Sequence, residues 1–256
     1  MIKLSSVALW SGLLLTGCSS LVPAPTVDVA VTKETPDAAW SHVLQDFVDA
    51  KGRVDFDRLS TKPQELYAYV RHVAAVDLST IRDPQEKLAF YLNSYNALSM
   101  YNILNGGVPR SIAGLGKIKY FFLRKFEIGG QILSLYQYEN EIIRKVGEER
   151  VHVALNCMSV GCPRLPQEPF EGATLDRVLD RQAREFFNES RNVDVDKEHR
   201  TLRLSEILKF YTGDFLKKAP SLAAYVNKYR TEKVPEDFKV EFIPYDWTVN
   251  RVPGPS

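Results

Sequence analysis

One short stretch holds most of the side chains able to do covalent chemistry. Val151-His152-Val153-Ala154-Leu155-Asn156-Cys157-Met158-Ser159-Val160-Gly161-Cys162-Pro163 contains two of the three cysteines and one of the four histidines. Three chemistries fit these residue types. Cys157 and Cys162 could close a disulfide across a turn that Gly161 and Pro163 favour, worth about 2 kcal/mol on the chain-entropy argument. Cys157 could instead be a nucleophile, since a thiolate attacks acyl carbons once a base or positive surroundings ionise it, and His152 is the nearby base. The third is a metal held by His152, Cys157 and Cys162, although the spacing is not that of close cysteine pairs in zinc sites and no second ligand pair is evident.

The nucleophile reading meets a geometric objection. Val151 to Leu155 is β-rich and almost wholly apolar, as an interior strand would be. Five extended residues separate His152 from Cys157 by ~16 Å, and their opposite parity sends the two side chains to opposite faces. The dyad then needs a fold-back after Leu155. Asn93, Glu139 or Asp246 could orient the imidazole, and Asn93 or Asn156 could polarise a substrate carbonyl. The bland reading of the asparagines is structural: buried amides that pin loops to a helix. The bland reading of His152 is a core histidine donating to a carbonyl.

The elements that must position these groups read clearly in places. Thr35-Pro36 opens a helix with Trp40, Val43, Leu44, Phe47 and Val48 inward. Val54-Asp55-Phe56 alternates like a short strand, and residues 63–76 form a second helix. Asp83-Pro84-Gln85-Glu86 is a strong start for a helix running to Asn105, with Gly106 and Gly107 ending it. That helix is apolar on more than one side, so it belongs at the centre of the fold. The basic, aromatic run from Lys117 to Lys125 reads as a strand or loop with its aromatics inward. Phe126 to Leu135 is a hairpin turned by Gly129-Gly130, and Ser134 caps a helix through Val146 that carries Glu139. Residues 174–188 are helical, 193–204 form a hairpin, Ser205 to Tyr211 and Ser221 to Tyr229 are helices, and Lys239 to Phe242 is a last strand. His42, His72 and His199 read as surface residues.

The chain opens with a processing signal. Met1-Ile2-Lys3 is a short positive start, Val7 to Leu15 an apolar run too short to span a bilayer, and Leu15-Thr16-Gly17-Cys18 follows. This is similar to a bacterial lipoprotein signal, which implies removal of residues 1–17 and lipid, palmitate included, on Cys18. Ser19 rather than aspartate comes next, so the expected address is the periplasmic face of the outer membrane. Residues 18–34 read as a tether and 35–256 as one globular domain. At 45% hydrophobic and 25% charged residues the composition is globular, and 33 basic against 32 acidic side chains give no electrostatic case for nucleic acid.

In this order the segments resemble the family called domain of unknown function 547. The residues that carry the resemblance are Phe90-Tyr91-Leu92-Asn93-Ser94-Tyr95-Asn96-Ala97-Leu98, Gly130 to Leu135, Tyr138-Glu139-Asn140-Glu141-Ile142-Ile143-Arg144, His152 to Cys162 with Pro163, Leu204-Ser205 with Tyr211 and Asp214-Phe215, and Tyr245-Asp246-Trp247. In that family a histidine commonly follows the glutamate matching Glu139; here the position is Asn140. The resemblance implies a fold and candidate positions, and no reaction.

The expectation is an α+β domain, with a mixed or antiparallel sheet that includes Val151 to Leu155 packed on the helix Asp83 to Asn105. Its site comprises Cys157, His152, Asn93, Asn156 and Glu139, with no metal and no cofactor. As an enzyme it would perform acyl transfer or amide hydrolysis on an envelope peptide or peptidoglycan-like substrate. As a non-enzyme it would be a tethered binding or assembly module whose Cys157-Cys162 pair braces a turn.

Overall fold

A computed structural model describes residues 19–26 and 35–254. The leader expected over residues 1–17, the lipid attachment expected at Cys18 and residues 27–34 of the tether lie outside the described residues. The chain folds as an α+β domain with two small mixed sheets.

Its centre is α4 (Pro84–Asn105), started by Asp83, whose carboxylate accepts the backbone N–H of Gln85 and Glu86. Most of its residues are buried, polar Asn93, Ser94, Asn96, Ser99 and Asn102 among them, as a helix covered on all sides requires. Helix α1 (Pro36–Phe47), α2 (Phe56–Thr61) and α3 (Gln64–Ala75) precede it. Val54-Asp55-Phe56 is not a strand: Val54 makes isolated bridges, and Phe56 begins α2 with Asp55 as its cap.

The first sheet joins β1 (Ser20–Leu21), β2 (Arg124–Ile128) and β3 (Gln131–Ser134), with β1 parallel and β3 antiparallel to β2. Gly129 and Gly130 turn the hairpin at φ +54° and +77°, a backbone that side chains resist. Strand β1 corrects the tether reading over residues 20–23: Val22 is buried, and Tyr101 Oη donates to the Pro23 carbonyl at 3.0 Å. Residues 117–123 are also not the expected strand or loop, whereas Arg124 and Lys125 do begin a strand. Helix α5 (Leu115–Lys117) continues as a π-helical turn, Ile118–Leu123, which leaves Phe122 exposed.

Ser134 and Gln137 form a reciprocal capping box at α6 (Leu135–Gln137), which runs on through a π-helical turn, Tyr138–Ile143, and a 3-10 turn, Arg144–Val146. Beyond it lies the main departure from the sequence reading: Glu149–Val153 is a 3-10 helix and belongs to no sheet. Its backbone bonds within the turn, Val151 N–H to the Glu148 carbonyl and Ala154 and Leu155 N–H to the Val151 carbonyl, and Asn96 holds the chain that leaves it. The Asn96 amide donates to the Ala154 carbonyl at 3.1 Å and accepts the Asn156 N–H at 2.7 Å. Arg150 fixes the turn from outside through Glu148, Asp176 and Asp180.

Helix α7 (Leu175–Asn188) then leads to the second sheet, β4 (Val193–Asp196), β5 (Thr201–Ser205) and β6 (Lys239–Ile243), with β4 antiparallel and β6 parallel to β5. Between β5 and β6 come α8 (Glu206–Phe210), α9 (Thr212–Phe215) and α10 (Leu222–Asn227). Two apolar cores result, one around α1, α3 and α4, the other around the second sheet. Helix α7 and the 149–155 turn contribute to both, Val151 and Leu155 to the first core and Val153 to the second.

Candidate functional site

The 3-10 helix ends at Val153 and the chain turns at Ala154, so the side chains from His152 to Cys157 do not alternate between two faces as a strand's would. The parity objection therefore disappears. His152, Leu155, Cys157 and Cys162 line one cavity of about 80 Å³ together with Tyr95, Glu139, Tyr211, Tyr245 and Trp247.

The turn carrying Cys157 is held from two directions. Asn156 Oδ1 accepts the Met158 N–H and its amide donates to the Pro163 carbonyl, both at 2.7 Å. Met158 sits at φ +65°, a strained backbone that persists because its surroundings over-determine it. The chain's end then zips to the turn: Val160 N–H donates to Thr248, Gly161 N–H to Asp246, and Asn250 N–H to Met158. Gly161 has to be glycine here, since a Cβ would stand 2.9 Å from the Asp246 nitrogen and 3.0 Å from the Tyr245 ring. This close approach lays Tyr245 over the sulfurs.

Both cysteines are free, and their sulfurs are 2.7 Å apart. Tyr245 Oη lies 3.3 Å from Cys157 Sγ and 2.9 Å from Cys162 Sγ, and the Cys157 N–H donates to Cys162 Sγ at 3.0 Å. Burial pushes the Cys157 thiol up, but hydrogen bonds from Cys162, Ser159 and Tyr245 outweigh it and bring the pKa down to about 7. Burial together with the neighbouring Cys157 charge drives Cys162 up. Of the two, Cys157 is the sulfur that ionises.

His152 is fully enclosed. Its Nε2 meets Asp214 Oδ2 at 3.0 Å, and its ring stacks on Tyr211 with centroids 3.7 Å apart. Asp214 also holds Arg144 at 2.8 Å and Lys217 at 3.0 Å; although burial opposes it, these partners and His152 keep its carboxyl well below the usual range. A carboxylate only accepts, so Nε2 carries the proton and Nδ1 presents a lone pair. Nδ1 is buried without a hydrogen-bond partner among the described residues. Burial lowers the His152 pKa to about 4, against the raising effect of Asp214. At neutral pH the group is therefore an uncharged imidazole oriented by a carboxylate, with its basic nitrogen unused. It does not hydrogen-bond Cys157 in this resting arrangement.

The π turn at 138–143 shifts the helical phase and points Glu139 inward. Tyr95 Oη donates to it at 3.1 Å and Tyr211 Oη donates to its other oxygen. Burial raises the Glu139 pKa, partly offset by both tyrosines. Glu139 thus orients the ring that stacks on His152 and does not touch the imidazole. Asn140 bonds Arg144, the partner of Asp214.

Asn93 and Asn156 are elsewhere engaged. Asn93 accepts Trp40 Nε1–H at 3.2 Å and the Phe170 N–H at 2.9 Å, and donates to the Phe170 carbonyl at 2.8 Å. It lines a separate groove beside α1 and α3. The Asn156 side chain bonds only its own turn. Asp246 caps the Thr248 N–H. The sequence reading passed over Tyr245, Asp214 and Tyr211 as site residues. Their only signal was membership of the short segments by which the resemblance was drawn.

Comparison with known proteins agrees with that resemblance. Residues 78–187 match the family described as Protein of unknown function, DUF547. The DUF547 match runs from just before α4 to the end of α7, taking in Cys157, Cys162, His152 and Glu139 and stopping short of Asp214 and Tyr245. No curated protein and no solved structure matches the chain. Among the described residues no group of three or more His, Cys, Asp or Glu side chains is placed to hold a metal ion. Nor is any described helix long and apolar enough to cross a membrane.

Proposed function

We propose that this chain is a lipid-anchored envelope protein that carries out thiol-dependent acyl transfer or amide hydrolysis on a peptide or peptidoglycan-like substrate, with Cys157 as nucleophile. The observation that carries the reading is that a cysteine favouring its thiolate and an aspartate-oriented imidazole face one cavity. Cys157 Sγ attacks the acyl carbon, the C–S bond forms, and the C–N bond breaks. Negative charge on sulfur in the same cavity favours imidazolium at His152, so the thiol proton passes to Nδ1 and on to the leaving amine. The hand-over crosses the cavity through a water or the substrate amide. Water then hydrolyses the thioester, with His152 as base and Asp214 holding its ring.

The polarising donor differs from the one the sequence suggested. Asn93 and Asn156 are committed to backbone groups, whereas Tyr245 Oη stands at both sulfurs with a phenol that burial keeps protonated. It takes the oxyanion role.

One test is covalent trapping. The reduced, purified chain is mixed with an activated peptide ester and its mass followed. A hydroxylamine-labile adduct on Cys157, retained in Cys162→Ala and absent in Cys157→Ala, is the expected result; no adduct on the reduced chain overturns the proposal. A second reading, a non-catalytic module whose turn is braced by a disulfide, draws on the 2.7 Å approach of the sulfurs. It predicts that iodoacetamide reaches Cys157 only after reduction, where a nucleophile reacts without it.

A further inference from the structure

We propose that the face formed by β1, the outer side of β2 and β3, and the 115–123 helical stretch with Tyr136 rests on an anionic phospholipid surface. The proposal deepens the lipid-anchor reading and rests on it for the position of Cys18. Six large apolar side chains stand in water here: Leu21, Leu115, Ile118, Phe122, Ile132 and Tyr136, with Leu115 82% and Ile132 54% exposed. The register explains the sheet's share. Leu21 pairs with Lys125 and Ile132 with Glu127, so these side chains share the outward face, while Val22, Phe126 and Ile128 alternate inward and are buried. Leu115, Ile118 and Phe122 recur at helical spacing on one side of their stretch. That stretch packs against β2, β3 and α6, and the Phe122 ring meets the Tyr136 ring at 4.5 Å. The exposed groups therefore adjoin, where scattered single ones would mean nothing.

Charge and chain position select the occupant. Residues 106–138 hold five basic side chains against one acidic, Glu127, in a chain whose net charge is +1; Arg124 is turned inward onto Asn102 and Asn105, which leaves Arg110, Lys117, Lys119 and Lys125. A second copy would bring these cations against each other; anionic headgroups would be drawn to them. Ser20, the first residue of β1, lies two residues after Cys18, and a chain reaches at most ~3.6 Å per residue. A lipid on Cys18 would hold β1 within about 7 Å of its attachment atom, too near for the first sheet to avoid the headgroups. A basic, apolar patch of this kind adds to the hold that the lipid on Cys18 already gives and fixes the orientation of the sheet on the surface. It also borders the cavity, since Lys117 lies 3.8 Å over the Trp247 ring and Phe121 packs edge-on against it.

The test uses the full chain, expressed with its own leader and reconstituted into phosphatidylethanolamine–phosphatidylglycerol vesicles containing phosphatidylcholine brominated on its acyl chains. Tryptophan is placed by Phe122→Trp, Ile132→Trp or, as an exposed control at the C-terminal end of α9 and away from this face, Leu216→Trp, and emission is corrected for the parent chain. With the face about 5–10 Å into the headgroup boundary, the first two lose roughly half their emission and the third keeps it. Equal quenching at all three, or none, overturns the face. The intact mass scores lipid on Cys18 separately. Lipid without quenching leaves the anchor standing and ends this proposal, whereas quenching without lipid, abolished by high salt, keeps the face and ends the anchor reading. A dimer in sedimentation that Leu115→Asp with Phe122→Asp dissolves would give the surface to a second copy and overturn the membrane assignment.

Discussion

Removing the Tyr245 hydroxyl tests the electrostatics of the site most directly. Against burial, hydrogen bonds with Cys162, with the Ser159 side chain and backbone, and with Tyr245 draw the Cys157 thiol from 9.0 to about 7. Two pKa units correspond to about 3 kcal/mol of preference for the thiolate. Because these bonds also offset burial, together they are worth more than the net two units; taking Tyr245 as about 1 unit of that total, Tyr245→Phe lowers the thiolate fraction at pH 7 from about one half to about one tenth. The alkylation rate at pH 7 falls less, because a more basic thiolate is intrinsically about threefold more nucleophilic per unit; the net loss is only about twofold. A single rate would therefore mislead, and the informative quantity is the midpoint of a pH–rate profile. Iodoacetamide labelling of the reduced chain from pH 5 to pH 10, read at Cys157 by peptide mass, is expected to titrate near 7 in the parent and near 8 in Tyr245→Phe. A parent midpoint near 9, or an unchanged midpoint in the variant, refutes the account of how this sulfur ionises.

Three further outcomes follow from the same geometry. Asn96→Ala strands the Ala154 carbonyl and the Asn156 N–H in the core, so a urea titration should show a loss of about 2–5 kcal/mol; a loss under 1 kcal/mol would mean that the 3-10 turn finds other partners. His152 has a folded pKa of about 4 against an ordinary 6.5, so between these values the unfolded chain binds the proton that the folded chain refuses. Its contribution, about 3 kcal/mol, is present above pH ~6.5 and is lost as the pH falls toward ~4. Glu139, raised by burial, acts in the opposite sense above its ordinary 4.5, so the measurement is the difference between parent and His152→Gln across pH 7.5 to 5, and identical slopes would contradict it. Gly161→Ala drives a methyl against Tyr245 and the Asp246 nitrogen; Cys157 reactivity should shift toward that of Tyr245→Phe, and an unshifted midpoint would show that the turn yields without moving the tyrosine.

What the sequence revealed and what it hid divide by the range of the deciding contact. Helix α4 was legible because Asp83 and Pro84 announce it locally, and the Ser134–Gln137 capping box because both partners lie within one turn. Residues 149–155 were misread because alternating valines carry the composition of a buried strand, while the side chain that holds the chain leaving the turn, at Ala154 and Asn156, is Asn96, 58 and 60 residues away. Period and composition report which face is apolar; they do not report that a distant amide holds the chain. The same limit governs the site. Cys157, Cys162 and His152 stood out by type, but the aspartate that orients the imidazole lies 62 residues from it and the tyrosine over the sulfurs 88 residues from Cys157. Asn93 looked equally suited to a cleft or a loop, and only its three bonds to Trp40 and Phe170 distinguish the two.

The site's dependence on distant partners follows from where it lies between the two cores. Leu155 and Tyr95 belong to the first, whereas Tyr211 and Tyr245 pack on the second. Neither core alone holds a thiol, an imidazole and a donor around the cavity. Helix α7 spans both cores, and the 149–155 turn places Val151 in one and Val153 in the other within a single 3-10 repeat. A strand at this position would have sent alternate side chains to opposite faces and separated His152 from Cys157. The tight turn, stabilised by the Asn96 amide, is therefore the structural condition for any chemistry that uses both groups.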